Sequence, residues 1–451
     1  MTLRLSLPIT ASLLISLLWS ACAGLAPEAV TPTSGGRPAA TATPRPLAGS
    51  APLLRLEPEV IEQMEAIERQ VQALRGLRPS APFERQLFSP ADLGPLIEQD
   101  LLATYSSEQA ADDARLLALL GLVEPGFDLW ALLTALYAEH VAGFYDDDDG
   151  IMYIVAGSGF GGPERLTYAH EYVHTLQDQT FDFDQTLGIN PAACEDDGLR
   201  CLALQALIEG DASLVEEQWL RTYATEADIE QLITFYGLFD SPVFDSTPQP
   251  LQERFLFPYE HGLAFVRWVH RQGGWGAVDQ VYQHPPLSDE NILHPLGYRE
   301  DPPVALAVPD LDAGLLGSDW RLLDEGTLGE FDFRLLLAQQ LSADRAILAS
   351  EGWGGDRLQA FYLDSEEHGA LVVVQIWDTI RDAQDAFLAW RDYGDARFGD
   401  HQLVEGAYLW QAGAGHAHLE RASNQTLWLF GPDAPSLAAL RQALTFPAAK
   451  E

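Results

Sequence analysis

The pentapeptide HEYVH at residues 170–174 constrains the fold of this chain more than any other segment does. Residues four apart lie on one face of an α-helix, with Cβ atoms about 5–6 Å apart, so both imidazoles can bind one tetrahedral Zn²⁺. The carboxylate of Glu171 then lies beside the metal, where it can act on a bound water. Apolar residues recur every three or four positions between 166 and 176, which predicts a helix with one buried face. A helix of purely structural role is the alternative interpretation.

A catalytic zinc site takes a third protein ligand and leaves its fourth position open. Glu209 is the favoured candidate, because residues 204–215 also follow helical apolar spacing. It lies 209 − 174 = 35 residues after the last histidine of the motif, enough chain for a loop and a second helix. Three neighbouring acids remain alternatives as ligands: Asp211, Glu216 and Glu217. Two acids are candidate acceptors for the second N–H of a ligand imidazole: Asp178 and Asp211.

This motif, followed by a glutamate on a second helix, resembles the gluzincin type of metallopeptidase, the group that includes thermolysin. The strings at residues 167–182 and 206–212 resemble, more specifically, a group of bacterial secreted or lipid-anchored proteins with a gluzincin-like domain. The similarity covers most of residues 85–300, with further short matches at 142–145, 257–259, 285–288 and 292–295.

The resemblance implies a zinc metallopeptidase that hydrolyses proteins or peptides outside the cytoplasmic membrane. His170, His174 and Glu209 would be the metal ligands, and Glu171 the general base. The thermolysin-like pattern has an aspartate four residues after the third ligand, where this chain has Ser213. The resemblance therefore does not assign the groups that orient the ligands. A cell-envelope binding protein without catalysis, whose zinc is structural or absent, is the alternative function.

A peptidase also needs a hydrogen-bond donor for the oxyanion that develops as water attacks the carbonyl. Tyr259, His261 and His294 are the candidates, since Tyr and His play this part in related folds. His294 and Tyr259 are the preferred pair, and His294 precedes a proline in an irregular segment, where a side chain is freer to face a cleft. Packing within the core is the alternative role for each of them.

The chain is strongly acidic, with 26 basic and 67 acidic residues and a net charge of −41. This charge argues against nucleic acid and anionic membrane surfaces as partners and leaves a peptide or protein substrate as the expected one. The sequence leaves the oligomeric state open. Two of the three cysteines, Cys194 and Cys201, are close enough in sequence to form a disulfide, and an exported location would permit it. Their pairing stays open at this point.

Residues 1–22 have the pattern of an export leader. An apolar run ends in Trp-Ser-Ala-Cys, which resembles the bacterial lipobox with Cys22 as the lipidated residue and the only membrane anchor. Plain secretion after cleavage near this point is the alternative. Residues 23–52 are rich in Ala, Pro, Thr and Gly and predict a disordered tether.

The expected fold class is α+β. Residues 53–325 predict a mostly helical, gluzincin-like domain, and residues 331–451 predict a small α+β sandwich. Its elements follow the order ββαβββα, with one sheet and its helices on one face.

Within the first domain, residues 141–145 and 151–155 predict a β-hairpin around the acidic run 146–149. In the gluzincin arrangement such a strand pairs with an extended substrate, which predicts backbone recognition at 151–155. The acidic run is either a Ca²⁺ ligand set or a solvated tip.

Overall fold

The computed structural model describes residues 56–88, 105–140, 143–146, 150–155, 159–238, 241–413, 415–444 and 446. The expected leader at 1–22, with Cys22, and the expected tether at 23–52 lie outside these residues, as do positions 147–149 of the acidic run. Among the described helices, none is long and apolar enough to cross a membrane.

The first part of the chain is mainly helical. Its helices are α1 (Pro58–Arg75), α2 (Ser107–Leu120), α3 (Leu129–His140), α4 (Gly162–Phe181), α5 (Pro191–Asp196), α6 (Gly198–Thr222), α7 (Glu226–Leu238), α8 (Pro242–Ser246), α9 (Gln249–Gln283) and α10 (Asp289–Leu293). Its strands are β1 (Glu84–Phe88), β2 (Gly143–Asp146) and β3 (Ile151–Val155). Helix α9 is kinked, because its backbone leaves helical geometry at Gly273 and Gly274.

The predicted hairpin of β2 and β3 is confirmed, and β1 joins it to give the strand order β1-β3-β2. Strand β3 is the central strand. It pairs in parallel with β1 over residues 151–155 and antiparallel with β2 over residues 151–154. The prediction that 151–155 binds an extended substrate by strand addition is therefore wrong, because the backbone groups on both of its edges already face a neighbouring strand. Among the described residues, the outer edges of this sheet belong to β1 and β2.

Helix α4 carries the HEYVH motif and begins at Gly162. Glu164 accepts a hydrogen bond of 2.9 Å from the backbone N–H of Gly161, and Pro163 lies in the first turn, where its missing N–H costs nothing. Thirteen residues of α4 are buried, from Gly162 to Gln177. The helix therefore lies inside the first part of the molecule, and its polar side chains must find their partners there.

Helix α6 carries Glu209, and a disulfide bond links its first turn to α5. Cys194 of α5 and Cys201 in the first turn of α6 form a disulfide, so the pairing that the sequence left open is present. Asp197, between the two helices, accepts a hydrogen bond of 3.0 Å from the backbone N–H of Arg200 and caps α6. The disulfide and the cap together define where this long helix starts.

The C-terminal part contains a seven-stranded antiparallel sheet with the order β4-β5-β6-β10-β9-β8-β7. Its elements are β4 (Arg321–Gly326), α11 (Gly329–Ala338), α12 (Ala343–Ser350), β5 (Trp353–Leu363), β6 (His368–Trp377), α13 (Ile380–Phe398), β7 (Gln402–Val404), β8 (Ala407–Ala412), β9 (Gly415–Ala422), β10 (Gln425–Gly431) and α14 (Ala434–Ala443). The α+β class is confirmed. Strand β4 pairs with β5, so the sheet begins before residue 331.

The predicted order ββαβββα is present in this sheet, with one strand divided. The strand expected over 404–410 is two strands, β7 and β8, because the backbone turns at Glu405 and Gly406, which both have positive φ. A tight turn with two such residues joins antiparallel neighbours.

The helices cover both faces of this sheet, so the expectation of helices on one face is wrong. Helix α13 packs with Leu371 and Val373 of β6, and α14 packs with Val372 and Val374 of the same strand. Neighbouring strand residues point to opposite faces, so an uninterrupted apolar strand needs cover on both. The sequence of β6 contains this information in its run of apolar residues.

Helices α6 and α9 cross with their backbones in contact. The crossing involves Gly262 of α9 and Gly210 of α6, the residue after Glu209. A Cβ atom added at Gly262 would lie 2.0 Å from the carbonyl oxygen of Ala206, and one added at Gly210 would lie 2.2 Å from the backbone of Gly262. Only glycine permits this approach, because backbone atoms cannot move aside as a side chain can.

We expect Gly262→Ala to lower the free energy of unfolding by about 3 kcal/mol, because the added methyl forces α9 away from α6. Gly276→Ala, on the same helix with no atom within 4 Å of the new Cβ, is the matched control. It should be neutral or stabilise by about 0.5–1 kcal/mol through helix propensity. Denaturant unfolding of both variants measures the difference, and equal stabilities would contradict the close crossing.

Candidate metal centre

Helices α4 and α6 bring His170, His174 and Glu209 together. One ligand atom from each lies within 4.8 Å of the others, and all three side chains are buried. The Nε2 atom of His170 is 3.2 Å from Oε2 of Glu209, and Nε2 of His174 is 3.5 Å from the same oxygen. Two imidazole nitrogens and a carboxylate oxygen thus converge on one point, and the group could hold a metal ion.

The other ring nitrogen of each histidine is held by a hydrogen bond. Nδ1 of His170 is 2.8 Å from Oε2 of Glu216, and Nδ1 of His174 is 2.9 Å from Oε1 of Gln177. Such bonds fix the ring orientation and place the N–H on Nδ1, so that Nε2 presents its lone pair to the centre of the group. Glu216, an alternative ligand on sequence grounds, is thus the partner that orients His170.

A buried hydrogen-bond chain extends from His174 to α1. The amide of Gln177 donates to the hydroxyl of Tyr282 at 3.1 Å, and Tyr282 donates to Asp211 at 3.0 Å. Asp211 accepts two further bonds from the guanidinium of Arg75 at 2.8 and 3.0 Å. Asp211 therefore acts on the histidine only through two intermediate side chains.

The orientation of the Gln177 amide follows from its second partner. Its nitrogen also donates to the carbonyl oxygen of Ile208 at 3.0 Å, and a carbonyl can only accept. The amide oxygen must therefore face His174. Because Ile208 is the residue before Glu209, the same glutamine holds the ligand-bearing turn of α6 against α4.

Two other acids named by the sequence have partners away from the histidines. Asp178 accepts hydrogen bonds from the hydroxyl of Tyr145 and the backbone N–H of Phe183. Glu217 pairs with Arg267 at 2.5 Å and with Arg221 at 2.8 Å. Neither carboxylate is among the partners of His170 or His174.

Glu171 is the least satisfied side chain in this region. It is fully buried, and within the described part of the chain neither of its carboxylate oxygens has a hydrogen-bond partner. Burial raises the pKa of its carboxyl, with His174 and His170 opposing the rise. An unpartnered buried carboxylate costs several kcal/mol on general grounds, so its position beside the two histidines needs an explanation.

The charges of the group favour a cation at its centre. Burial would raise the pKa of Glu209, yet the two histidines lower it to about 2. For His170 burial acts in the opposite direction and would lower the pKa, but Glu209 and Glu216 raise it well above its usual value. The carboxylates therefore attract positive charge strongly enough to overcome the cost of burying it.

The assignment of the oxyanion donors stays a prediction, and the described contacts of the three candidates lie elsewhere in the fold. His294 lies at the end of α10, and its Nε2 is 2.9 Å from a carboxylate oxygen of Glu330. Tyr259 is buried in a separate hydrophobic cluster with Leu251 and Phe255. His261 packs between aromatic rings, and burial lowers its pKa to about 4.

Sequence reasoning missed three members of the site: Gln177, Tyr282 and Arg75. Gln177 was detectable, because it lies three residues after His174 on the same helix face. Tyr282 and Arg75 carried no local signal, since they lie 105 and 102 positions from Gln177 along the chain (282 − 177 = 105; 177 − 75 = 102).

Residues 320–441 match the family model DUF8575, a domain of unknown function, which corresponds to the C-terminal sheet and its helices. No curated protein matches the chain, and no solved structure does.

We expect Glu216→Ala to weaken the binding of a divalent metal by about 10–100-fold, because His170 loses the acceptor that orients its ring. Glu217→Ala, which removes the same charge from the next residue, is the matched control and should bind like the wild type. Competition against a chromophoric chelator measures both affinities. Equal losses in the two variants would assign the effect to net charge and contradict the orienting bond.

Proposed function

We propose that this chain is a zinc-dependent metallopeptidase with a zincin-like first domain, in which His170, His174 and Glu209 hold Zn²⁺. The carrying observation is the fully buried Glu171 carboxylate, which has no hydrogen-bond partner among the described residues and lies next to the three converging ligand atoms. A water molecule at the fourth position of the metal would supply that partner.

The distances between the candidate ligand atoms agree with a tetrahedral zinc site. Bonds of about 2.0–2.1 Å at tetrahedral angles separate two ligand atoms by roughly 3.3 Å. The two Nε2 atoms lie 3.2 and 3.5 Å from the shared oxygen of Glu209. A set of two imidazoles and one carboxylate also leaves one position open, which is the pattern of catalytic rather than structural zinc.

In this proposal Glu171 is the general base. Bound zinc would polarise the scissile carbonyl and lower the pKa of its water toward about 7. Glu171 accepts a proton from the attacking water and passes it to the leaving amine. Burial raises the pKa of its carboxyl, which favours taking the proton from the water.

The substrate and location follow from the charge and the leader. A net charge of −41 disfavours nucleic acid, so we propose peptides or unfolded proteins as substrates. The leader at 1–22 and the disulfide between Cys194 and Cys201 support export, with Cys22 as the proposed lipid anchor at the cell envelope.

A binding function without catalysis is the second candidate, and one observation favours it. A cavity of about 860 Å³ lies between the first part and the C-terminal sheet, lined by leucines of α2 and α3 together with Asp113, Arg254 and Asp332. None of the metal-centre residues lines it. Its size is that of a small-molecule site.

Metal analysis separates the two candidates first. We expect about one zinc per chain in protein purified from zinc-replete buffer, and His174→Ala should lose it, because two ligands bind zinc much more weakly than three. Inductively coupled plasma mass spectrometry measures the ratio. A value near zero for the wild type would contradict the peptidase proposal.

The base is tested by Glu171→Gln, which keeps the size of the side chain but cannot accept the proton. We expect zinc content to be unchanged and hydrolysis of unfolded casein to fall by at least about 100-fold. Glu217→Gln, a neutral substitution on α6 at a half-buried residue that pairs with Arg267 and Arg221, should keep full activity. If wild type and Glu171→Gln, purified in parallel, cleave casein equally, Glu171 is not the base.

A further inference from the structure

A second group of oxygen ligands lies at the junction between the first part and the C-terminal sheet. Carboxylate oxygens of Glu290, Asp301 and Asp378 lie within 4.8 Å of one another. Glu290 belongs to α10, Asp301 follows that helix, and Asp378 lies between β6 and α13. Glu290 and Asp301 are 301 − 290 = 11 residues apart, whereas Asp378 lies 378 − 301 = 77 residues further on and meets them only in the fold.

Glu290 is the unusual member of this group. It is only 4% exposed, yet no described residue makes a hydrogen bond or ion pair with its carboxylate. Surface acids often cluster without consequence, but a buried carboxylate normally has a partner, because losing hydration without replacement is costly. The oxygen of Glu290 faces the other two carboxylates, so the missing partner belongs between them.

The cations near this group are already paired with another acid. Glu330 is fully buried and forms ion pairs with His294 at 2.9 Å and Arg334 at 2.8 Å. Asp289 uses its carboxylate to accept the backbone N–H groups of Glu330 and Phe331 at the start of α11. Neither arrangement leaves a positive charge for Glu290.

Burial and like charge act on Glu290 in the same direction. Burial raises the pKa of its carboxyl, and Glu330, Asp301 and Asp378 raise it further, to about 10. A bound cation would offset the repulsion between these carboxylates, because each of them attracts it.

We propose that Glu290, Asp301 and Asp378 form a Ca²⁺ site that joins the first part of the chain to the C-terminal sheet. All three ligands are carboxylate oxygens, which hard cations prefer, whereas zinc prefers nitrogen and sulfur. Calcium accepts irregular geometry and completes its six to eight ligands with water, and exposed Asp378 gives water access to the group.

The backbone around the site is held in place without the ion. The side chain of Asn291 donates to the backbone carbonyl of Asp301 at 2.9 Å, which fixes that residue against α10. The N–H of Asp378 donates to the carbonyl of Gly352 at 2.9 Å, which fixes it against the start of β5. Calcium would therefore bind between two backbone segments that are already held in position, and it would stabilise the contact between them. This site is independent of the zinc proposal.

The test uses the full chain, depleted of metal ions on a chelating resin and then reloaded with zinc. We expect 1 mM CaCl₂ to raise the melting temperature of the wild type by about 5 °C, and titration calorimetry to show one site per chain. Glu290→Gln and Asp378→Asn should each weaken calcium binding at least tenfold and lose the rise. Glu300→Gln, a neutral substitution on the exposed neighbour of Asp301, should keep both.

Each other outcome overturns the proposal. Absence of a calcium-dependent rise in the depleted wild type excludes the site. Equal rises in wild type and both variants would place the calcium elsewhere, for example at the acidic run 146–149. An equal rise with 1 mM MgCl₂ would exclude calcium as the preferred ion. Exposed Asp378 keeps the test informative even if Glu290→Gln destabilises the fold, because its substitution leaves the core intact.

Discussion

The constraint on which the structure depends is the burial of charge between helices α4 and α6. Arg75, Glu171, Glu209 and Asp211 are all removed from water in this region. Glu171 and Glu209 lie beside the two histidines, and Asp211 and Arg75 form the other end of the hydrogen-bond chain from His174. Charges in a protein interior are tolerated only when they are paired and hydrogen-bonded. The ion pair of Arg75 with Asp211 meets that condition, and the hydrogen bonds of Tyr282 and Gln177 carry it across to α4. Helices α1 and α9 pack against the two central helices and supply these partners, Arg75 from α1 and Tyr282 from α9.

The buried acids divide into those with complete sets of partners and those without. Asp211 has three donors around it, and Glu330 has two cations. Glu171 and Glu290 have no such partner among the described residues, although each is at least 96% removed from solvent (100 − 4 = 96). A buried carboxylate without any partner is uncommon, because the loss of hydration is costly when nothing replaces it. Glu171 and Glu290 both lie where other oxygen or nitrogen atoms of ligand type converge, so a metal ion is the partner we propose at each place.

What could be predicted from the sequence was local in the chain. The spacing within HEYVH, the helical pattern around Glu209 and the turn between β2 and β3 each depend on residues within about one or two turns of structure. What could not be predicted depends on distant segments. Strand β1 occupies the edge of β3 from 151 − 84 = 67 residues away, and Arg75 reaches Asp211 from 136 positions away. The apolar run of β6 indicates helices on both faces of the C-terminal sheet, whereas the order of the elements alone predicts them on one face.

The family match begins at residue 320, but the hydrophobic core does not divide there. Phe257 of α9 packs against Phe331 of α11 with ring centroids 4.5 Å apart, and both belong to one buried cluster that also contains Leu204 and Trp390. The hydroxyl of Tyr393 donates to the backbone of Leu120 across the same junction. The family model thus matches the C-terminal segment alone, whereas the shared hydrophobic core joins that segment to the preceding helices as a larger unit that must fold together. A fragment cut at the family boundary would expose the inner side of that shared core to water, where apolar surface drives aggregation.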